Sequence, residues 1–251
     1  MARGRLSRAL QLAWLDSSDT LRPPGFDVML LIVSAVGGAL AAVQPLSDPV
    51  GAANAVLDPV GVFAVSLYLA MRVSSGVALL ASTGLLQLYL AYPLSRLEVA
   101  GALLASRVLV PVATLAGAPL LVAALVVPGA VSGGLGLYVA QYLAYVVYLS
   151  FFGVTFALIA VASKSPGTSS AGSLAFFMLY SGLYVILSIA AVSLGSATLR
   201  RLAEAMLFYR VTGDMLSGLS VEWWQPLLVP GLLAVSLAAY LAYMWRRFEP
   251  P

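Results

Sequence analysis

Residues 135–162 read LGLYVAQYLAYVVYLSFFGVTFALIAVA and contain no charged side chain. A helix needs roughly 20 mainly apolar residues to cross the hydrocarbon core of a bilayer. Because backbone polar groups in hydrocarbon must be hydrogen-bonded within the segment itself, such a stretch is expected to be helical. It therefore predicts a membrane-spanning helix.

Five further stretches are also long and mainly apolar. The chain is 61% hydrophobic and 9% charged, whereas a soluble domain usually carries about 25% charged residues. The predicted fold class is therefore an all-α polytopic membrane protein, with one transmembrane domain over residues 1–251. We predict six spans, at Phe26–Gln44, Pro59–Ala81, Val99–Val127, Leu135–Ala162, Ala171–Leu194 and Pro226–Trp245.

Basic residues indicate how the chain crosses the membrane. An even number of spans puts both termini on one side, and basic residues favour the cytoplasmic side. The short connections predicted on the other side, Pro45–Asp58 and Pro128–Gly134, contain no lysine or arginine. We therefore expect a multi-pass plasma-membrane protein with both termini in the cytoplasm. The basic residues on the side of the termini are Arg3, Arg5, Arg8, Arg22, Arg96, Lys164, Arg246 and Arg247.

Residues 1–25, before the first span, predict a helix lying along the cytoplasmic membrane surface. Apolar side chains share one helical face there, as in amphipathic interfacial helices. This face contains Leu6, Ala9, Leu10, Ala13 and Trp14. A basic tail that only directs insertion is the alternative. The domain continues with spans one to five over residues 26–194, an outer segment over 195–225, and span six with a cytoplasmic tail over 226–251.

The outer segment is the longest connection, and it has an apolar stripe at helical spacing. Arg200 and Glu204 form an i,i+4 pair on the other helical face, which supports a helix. Gly213 and Gly218 are expected to break the structure that follows. We therefore predict short amphipathic helices at the outer interface before span six, which either cap the bundle or gate it. The stripe consists of Leu199, Leu202, Ala203, Met206 and Leu207.

Residues 84–98 read GLLQLYLAYPLSRLE and connect spans two and three on the predicted cytoplasmic side. The stretch is apolar enough for a buried helix although both neighbouring spans are already long enough, so this helix needs a partner surface. Tyr92 and Pro93 end it, because the residue before a proline disfavours the helical region. Ser95, with Glu98 three positions later, predicts a capping box at the start of span three.

This stretch resembles the coupling helix in membrane subunits of type-2 exporter ATP-binding-cassette (ABC) transporters. That family often reads Gly-Thr-Leu-Glu, then three or four apolar residues, then Tyr/Ser-Pro-Leu/Ile-Ser-Arg and a Glu. The chain departs from the pattern at Leu85, where Thr is usual, and at Gln87, where Glu is usual. The predicted topology extends the resemblance over nearly the whole chain. The matching residues are Gly84, Leu86, Tyr92, Pro93, Leu94, Ser95, Arg96 and Glu98.

The resemblance implies a permease subunit with no ATP chemistry of its own. A separate soluble ABC ATPase subunit would bind ATP and magnesium, and its closure would push the coupling helix and tilt the spans, with export as the expected direction. A second permease, in a homodimer or heterodimer, and membrane lipid are the other implied partners; nucleic acid is not. The residues that the resemblance assigns to ATPase-subunit coupling are Gly84, Gln87, Tyr92, Pro93, Ser95, Arg96 and Glu98.

The amino-acid composition excludes several classes of function. The chain has no cysteine and no histidine, so disulfides, thiolate metal sites and imidazole catalysis are excluded. It has no Gly-x-x-x-x-Gly-Lys-Ser/Thr motif, and no cluster of intramembrane acids for an enzyme or an ion-coupled carrier. The alternative that stays open is a non-transporting structural subunit of a larger membrane complex. Nearly all of the basic residues are arginine, and cysteine is absent. Both features point to a prokaryotic source that is thermophilic or GC-rich.

Two arginines interrupt the predicted spans: Arg72 half-way along the second, and Arg107 about two turns into the third. An intramembrane arginine costs roughly 2.5–3.5 kcal/mol on insertion scales, so it faces protein or water, or snorkels to the interface. Asp27, Asp58 and Glu98 lie near span edges, so neither arginine is expected to have a strong partner within the chain. Both either line a substrate pathway and meet an anionic head group, or reach lipid phosphates.

Spans three and four carry two further patterns. Pro111 and Pro119 are expected to kink the third span. In the fourth span aromatic side chains recur on one face, which more often indicates packing or a dimer contact than a substrate track. They are Tyr138, Tyr142, Tyr145, Tyr148, Phe151 and Phe152.

Overall fold

The computed structural model describes residues 9–17, 21, 25–43, 48–58, 61–85 and 94–246. Within these residues the regular secondary structure is helical, without a strand. Each predicted span overlaps a long helix, so the predicted all-α polytopic fold is confirmed. The helices long and apolar enough to cross a membrane are Gly25–Val43, Val62–Ser82, Arg96–Val126, Leu135–Ser163, Pro166–Leu194 and Gln225–Arg246.

The helices are numbered in chain order. Their bounds are 9–17 for α1, Gly25–Val43 for α2, Pro49–Leu57 for α3, Gly61–Ser82 for α4, Arg96–Leu104 for α5, Val110–Val126 for α6, Pro128–Ser132 for α7, Leu135–Ser163 for α8, Pro166–Leu194 for α9, Ala197–Met206 for α10, Phe208–Leu216 for α11 and Gln225–Arg246 for α12. A π-helical turn, Ala105–Leu109, joins α5 to α6 within span three. Spans one, two, four, five and six are α2, α4, α8, α9 and α12.

Contacts at the two ends of the bundle define its faces. At the terminal face, where α2 begins and α12 ends, the Arg96 guanidinium donates to the carbonyl of Trp245 at 3.1 Å. At the opposite face, Asp58 before α4 pairs with Arg210 of α11 at 2.7 Å. The connection between spans two and three therefore lies at the end of the bundle where the last span finishes. Which face is cytoplasmic stays a prediction.

Span four forms the centre of the bundle. In its apolar 18-residue stretch, 67% of the residues are buried, against 11% in that of span five and 17% in that of span six. The ring of Phe152 lies 5.4 Å from Phe177 and 5.2 Å from Tyr180, and Tyr145 stacks on Tyr209 of α11 at 4.5 Å. Aromatic pairs at these separations add stability beyond the area they bury. These aromatic side chains of span four therefore pack within the chain.

The connection after span one contains a buried helix that the sequence analysis did not predict. Where a short connection is expected at Pro45–Asp58, the residues Pro49–Leu57 form α3. The Asp48 carboxylate caps this helix by accepting a hydrogen bond from the Gly51 amide at 2.6 Å. A Cβ at Gly37 of α2 would lie 2.6 Å from a side chain of α3, so the missing side chain lets the two helices approach. Nine residues are too few for a span, and for this reason hydropathy did not reveal the helix.

Helices α10 and α11 form the predicted amphipathic structure before span six. Arg200 and Glu204 make the predicted i,i+4 ion pair at 3.5 Å, which is exposed and therefore contributes little stability. The prediction that Gly213 breaks the segment is wrong, because this glycine lies inside α11. A Cβ there would lie 3.2 Å from the amide nitrogen of Asn54, so Gly213 permits close packing. Gly218 follows α11 with a φ of +75°, which glycine adopts readily.

Residues 9–17 form the described part of the N-terminal helix α1. Leu10 and Trp14 are exposed, whereas Asp16 is only 3% exposed. Exposed apolar side chains suit a helix that lies in a membrane surface, which stays a prediction for α1. Leu6, which belongs to the same predicted face, lies outside the described residues.

Candidate functional site

The segment between spans two and three is described at both of its ends. Gly84 follows α4 with a φ of +75°, a left-handed conformation in which any other residue would be strained. Gln87, Tyr92 and Pro93 lie outside the described residues, so their roles stay predictions. The described end of the segment is residues 94–98, which lead into α5.

Ser95 and Glu98 form a capping box at the start of α5. The Glu98 amide donates to Ser95 Oγ at 3.3 Å, and the Ser95 amide donates to Glu98 Oε2 at 2.6 Å. These bonds satisfy two amides that have no partner within the helix. The capping box predicted from the sequence is confirmed, and it sets the direction in which the segment enters span three.

Arg96 connects this entry point to the last span. Its Nη1 donates to the carbonyl oxygen of Trp245 at 3.1 Å, and α12 ends one residue later at Arg246. Carbonyl groups in the last turn of a helix have no partner within the helix, so a guanidinium there satisfies one of them and complements the helix dipole. A displacement of residues 94–98 would therefore act on the start of span three and the end of span six together.

Arg107 has a partner that the sequence analysis did not find. Its Nε and Nη2 donate to the Asp16 carboxylate of α1 at 2.9 and 2.6 Å, across 91 residues of sequence. Ser106 Oγ donates to the same carboxylate. The side chains of Arg107 and Asp16 are only 9% and 1% exposed. The expectation that Arg107 lacks a strong partner is therefore wrong, and in this conformation its charge is neutralised within the chain.

Arg72 differs from Arg107 in position and surroundings. It is exposed, and no carboxylate among the described residues forms an ion pair with it. Its guanidinium lies beside Gly25, the first residue of α2, where a Cβ would be 2.1 Å from Nη2. Two residues further along α4, the Ser74 carbonyl accepts a hydrogen bond from Ser169, in the first turn of α9, at 3.2 Å. Although half-way along its own helix, Arg72 is thus level with the first turns of spans one and five.

A buried polar network joins three elements near the opposite face. Gln141 of α8, which is fully buried, donates through Nε2 to Asn54 Oδ1 of α3 at 2.6 Å and to the carbonyl of Tyr209 in α11 at 2.7 Å. The Tyr145 hydroxyl donates to the same Asn54 oxygen at 2.9 Å. Buried polar groups of this kind are costly unless paired. The network therefore holds α3, span four and α11 together.

An ion pair continues this network towards the surface of the opposite face. Asp58 accepts hydrogen bonds from the Tyr209 hydroxyl and from Nε and Nη2 of Arg210. Burial raises the pKa of the Tyr209 phenol well above its usual range, and the Asp58 carboxylate raises it further. Burial opposes the charge of Arg210, yet the same carboxylate raises the pKa of its guanidinium overall. Tyr209 therefore stays a neutral donor and Arg210 a cation throughout the physiological range.

An apolar groove of about 480 Å³ lies between spans three and four. The hydroxyls of Tyr138 and Tyr142 donate to the carbonyls of Leu120 and Ala113 across this boundary, at 2.7 and 3.1 Å. None of the residues that line the groove carries a charge. The groove therefore offers no charged side chain to an ion or a charged head group.

Asp16, Asn54 and Gln141 were not predicted as partners, although Asn54 and Gln141 each leave a signal in the sequence. Gln141 interrupts an otherwise apolar span, and Asn54 is the chain's one asparagine. An amide inside a membrane domain is expensive unless it is hydrogen-bonded. Pairing the intramembrane Gln141 and Arg107 with the polar residues outside the spans would have pointed to these contacts.

Among the described residues, no group of three or more histidine, cysteine, aspartate or glutamate side chains could hold a metal ion. No protein-family model matches the chain. No curated protein matches it either.

Proposed function

We propose that this chain is the permease subunit of an ABC transporter, and that it moves a substrate across the plasma membrane, with export as the direction. In this proposal both termini lie in the cytoplasm. A separate soluble ATPase subunit binds ATP and magnesium and docks on residues 84–98. A second permease, identical or different, completes the substrate pathway, because six spans enclose little space on their own.

The observation that carries the proposal is the hydrogen bond from Arg96 to the Trp245 carbonyl at 3.1 Å, next to the Ser95–Glu98 capping box. The segment that resembles a coupling helix is joined in this way to two spans. A subunit that pushed on residues 94–98 would move the ends of spans three and six together. Transmission from a remote site by rigid-body movement is a common basis for conformational switching.

The polar network at the opposite face supports the proposal from the other end of the bundle. It connects α3, span four and α11 through the two bonds of Gln141 and the hydroxyl of Tyr145. Each such bond has a net worth of about 1 kcal/mol. A few such bonds are together strong enough to keep this face closed, and weak enough for an ATP-driven movement to break them.

The test is purification of the chain in mild detergent from its native membranes, followed by identification of the proteins that remain bound. We expect a soluble ATPase in a fixed ratio, and we expect Arg96→Glu to release it. The matched control is Arg200→Glu, which makes the same charge change on an exposed arginine at the opposite face. Because Arg96 also contacts Trp245, thermal stability of both variants in detergent must be measured alongside.

Three results decide the proposal. Loss of the ATPase in Arg96→Glu, with wild-type retention in Arg200→Glu and similar stability of both variants, supports it. Recovery of the wild-type chain with other membrane subunits and without an ATPase refutes it and favours a structural subunit. If a folded Arg96→Glu variant retains the ATPase, residues 84–98 do not have the proposed coupling role.

A further inference from the structure

The π-helical turn Ala105–Leu109 interrupts span three where Arg107 lies. The amide of Val110 donates to the carbonyl of Ala105, five residues earlier instead of four. Pro111 follows directly, and since it has no N–H, it cannot donate to the carbonyl of Arg107. A turn of this kind holds one more residue than an α-helical turn, and such turns are frequent at functional sites.

Two glycines on neighbouring spans accommodate the widened turn. A Cβ at Gly76 of α4 would lie 2.3 Å from Nη1 of Arg107, and a Cβ at Gly153 of α8 would lie 2.4 Å from Cγ1 of Val108. A larger residue at either position would force a side chain of the turn, that of Arg107 or Val108, to shift. The turn is therefore packed into a space between spans two and four that these glycines leave open.

The Asp16 carboxylate binds this turn from outside the spans. It accepts hydrogen bonds from Ser106 and from two nitrogens of Arg107, and these donors are consecutive residues of the π-helical turn. The Asp16 side chain is 1% exposed, so water does not compete for it. Helix α1 therefore contacts span three at its π-helical turn.

We propose that this turn is a two-state switch of helix register, and that Asp16 holds it in the π form. When α1 releases Arg107, the turn relaxes to α-helical geometry and the extra residue enters the regular helix. One residue corresponds to a rotation of about 100° and a rise of about 1.5 Å, so α5 turns by this amount relative to α6. The inference rests on the proposed function, because it makes α1 the regulator of the segment on which the ATPase would dock.

The movement is measurable because the chain has no cysteine of its own. Spin labels at Leu97→Cys in α5 and Thr168→Cys in α9 report the rotation by pulsed electron resonance, with the full chain in lipid nanodiscs. Side chains on a helix lie about 5 Å from its axis, so a 100° rotation displaces a label by roughly 8 Å. We expect Asp16→Asn to shift this distance by several ångströms. The reference pair Leu121→Cys with Thr168→Cys, beyond the turn, should not shift.

Deletion of Ala105 is the control that separates a register switch from general loosening. It removes the extra residue while leaving α5 and α6 in their present orientation, so the 97–168 distance should stay at its wild-type value with Asp16 or with Asn at that position. If Asp16→Asn does not fold, Arg107→Lys is the alternative variant. Lysine keeps the charge but cannot donate from two nitrogens, so this variant weakens the contact with Asp16 without removing it. It should give two distance populations.

A folded Asp16→Asn or Arg107→Lys variant with only the wild-type distance overturns the inference. So does a shift that persists after deletion of Ala105, because that shift would not need the π-helical turn. The measurement requires no ATPase, so its outcome is independent of the co-purification test. A register switch without an associated ATPase would refute the proposed function and leave the switch in place.

Discussion

Replacing Asn54 tests whether the network near the opposite face stabilises the fold. Asn54 Oδ1 accepts from Gln141 Nε2 at 2.6 Å and from the Tyr145 hydroxyl at 2.9 Å. Gln141 and Tyr145 are fully buried, so Asn54→Ala leaves two buried donors without this acceptor. Gln141 keeps its bond to the Tyr209 carbonyl.

The expected loss of stability follows from these contacts. A buried donor without a partner costs about 1–3 kcal/mol, and Asn54→Ala leaves two donors without their shared acceptor. Its cost is therefore roughly 2–6 kcal/mol. Tyr145→Phe removes a donor but leaves Asn54 with its bond to Gln141, so it costs about 1 kcal/mol. In the double variant the unpaired hydroxyl is gone and only the Gln141 donor is unpaired, so its cost should fall below the sum of the single costs by about 2–4 kcal/mol.

The assay is reversible unfolding in mixed micelles by titration with a denaturing detergent, followed by circular dichroism. Tyr142→Phe is the matched control, because its hydroxyl donates to the Ala113 carbonyl of span three and not to Asn54. It should be additive with Asn54→Ala. If Asn54→Ala and Tyr145→Phe were also additive within about 0.5 kcal/mol, the two side chains would not be coupled and the network would be refuted.

Three further predictions use the same titration. Asp16→Asn should cost about 3–5 kcal/mol because it leaves a buried guanidinium unpaired, whereas Asp16→Leu combined with Arg107→Met should be close to neutral; a double variant as unstable as the single one would contradict this. Ser95→Ala should cost about 1 kcal/mol by removing the helix cap, and an unchanged midpoint would show that the capping box does not stabilise span three. Arg72→Gln should stay within about 0.5 kcal/mol of wild type because Arg72 is exposed, whereas a loss like that of Asp16→Asn would show that Arg72 has a buried partner.

Features that depend on near neighbours in sequence were predicted well. The spans follow from length and hydropathy, because each must satisfy its own backbone in hydrocarbon. The Ser95–Glu98 box and the Arg200–Glu204 pair span three and four residues, and both are present. Their physics lies within a single helical turn, so the chain segment alone contains the necessary information.

Features that depend on how helices are offset were not predicted. Arg72 looks central when it is placed by its position within α4, but α4 is offset along the bundle against spans one and five, so the residue lies near the terminal face. Similarly, Gly213 looks like a helix breaker when it is considered alone. Its role depends on Asn54, which approaches it from another helix.

The amino-acid sequence by itself determined six membrane-spanning helices, the cap that starts span three and the amphipathic helices before span six, because each results from interactions within one segment. Only the tertiary structure decided that Asp16 neutralises Arg107, that Gln141 joins α3 to α11, and that Arg96 reaches the last span. The physical reason is distance along the chain: these partners lie 91, 68 and 149 residues apart. Whether a buried charge or amide finds a partner depends on which helices pack together, and hydropathy does not contain that information.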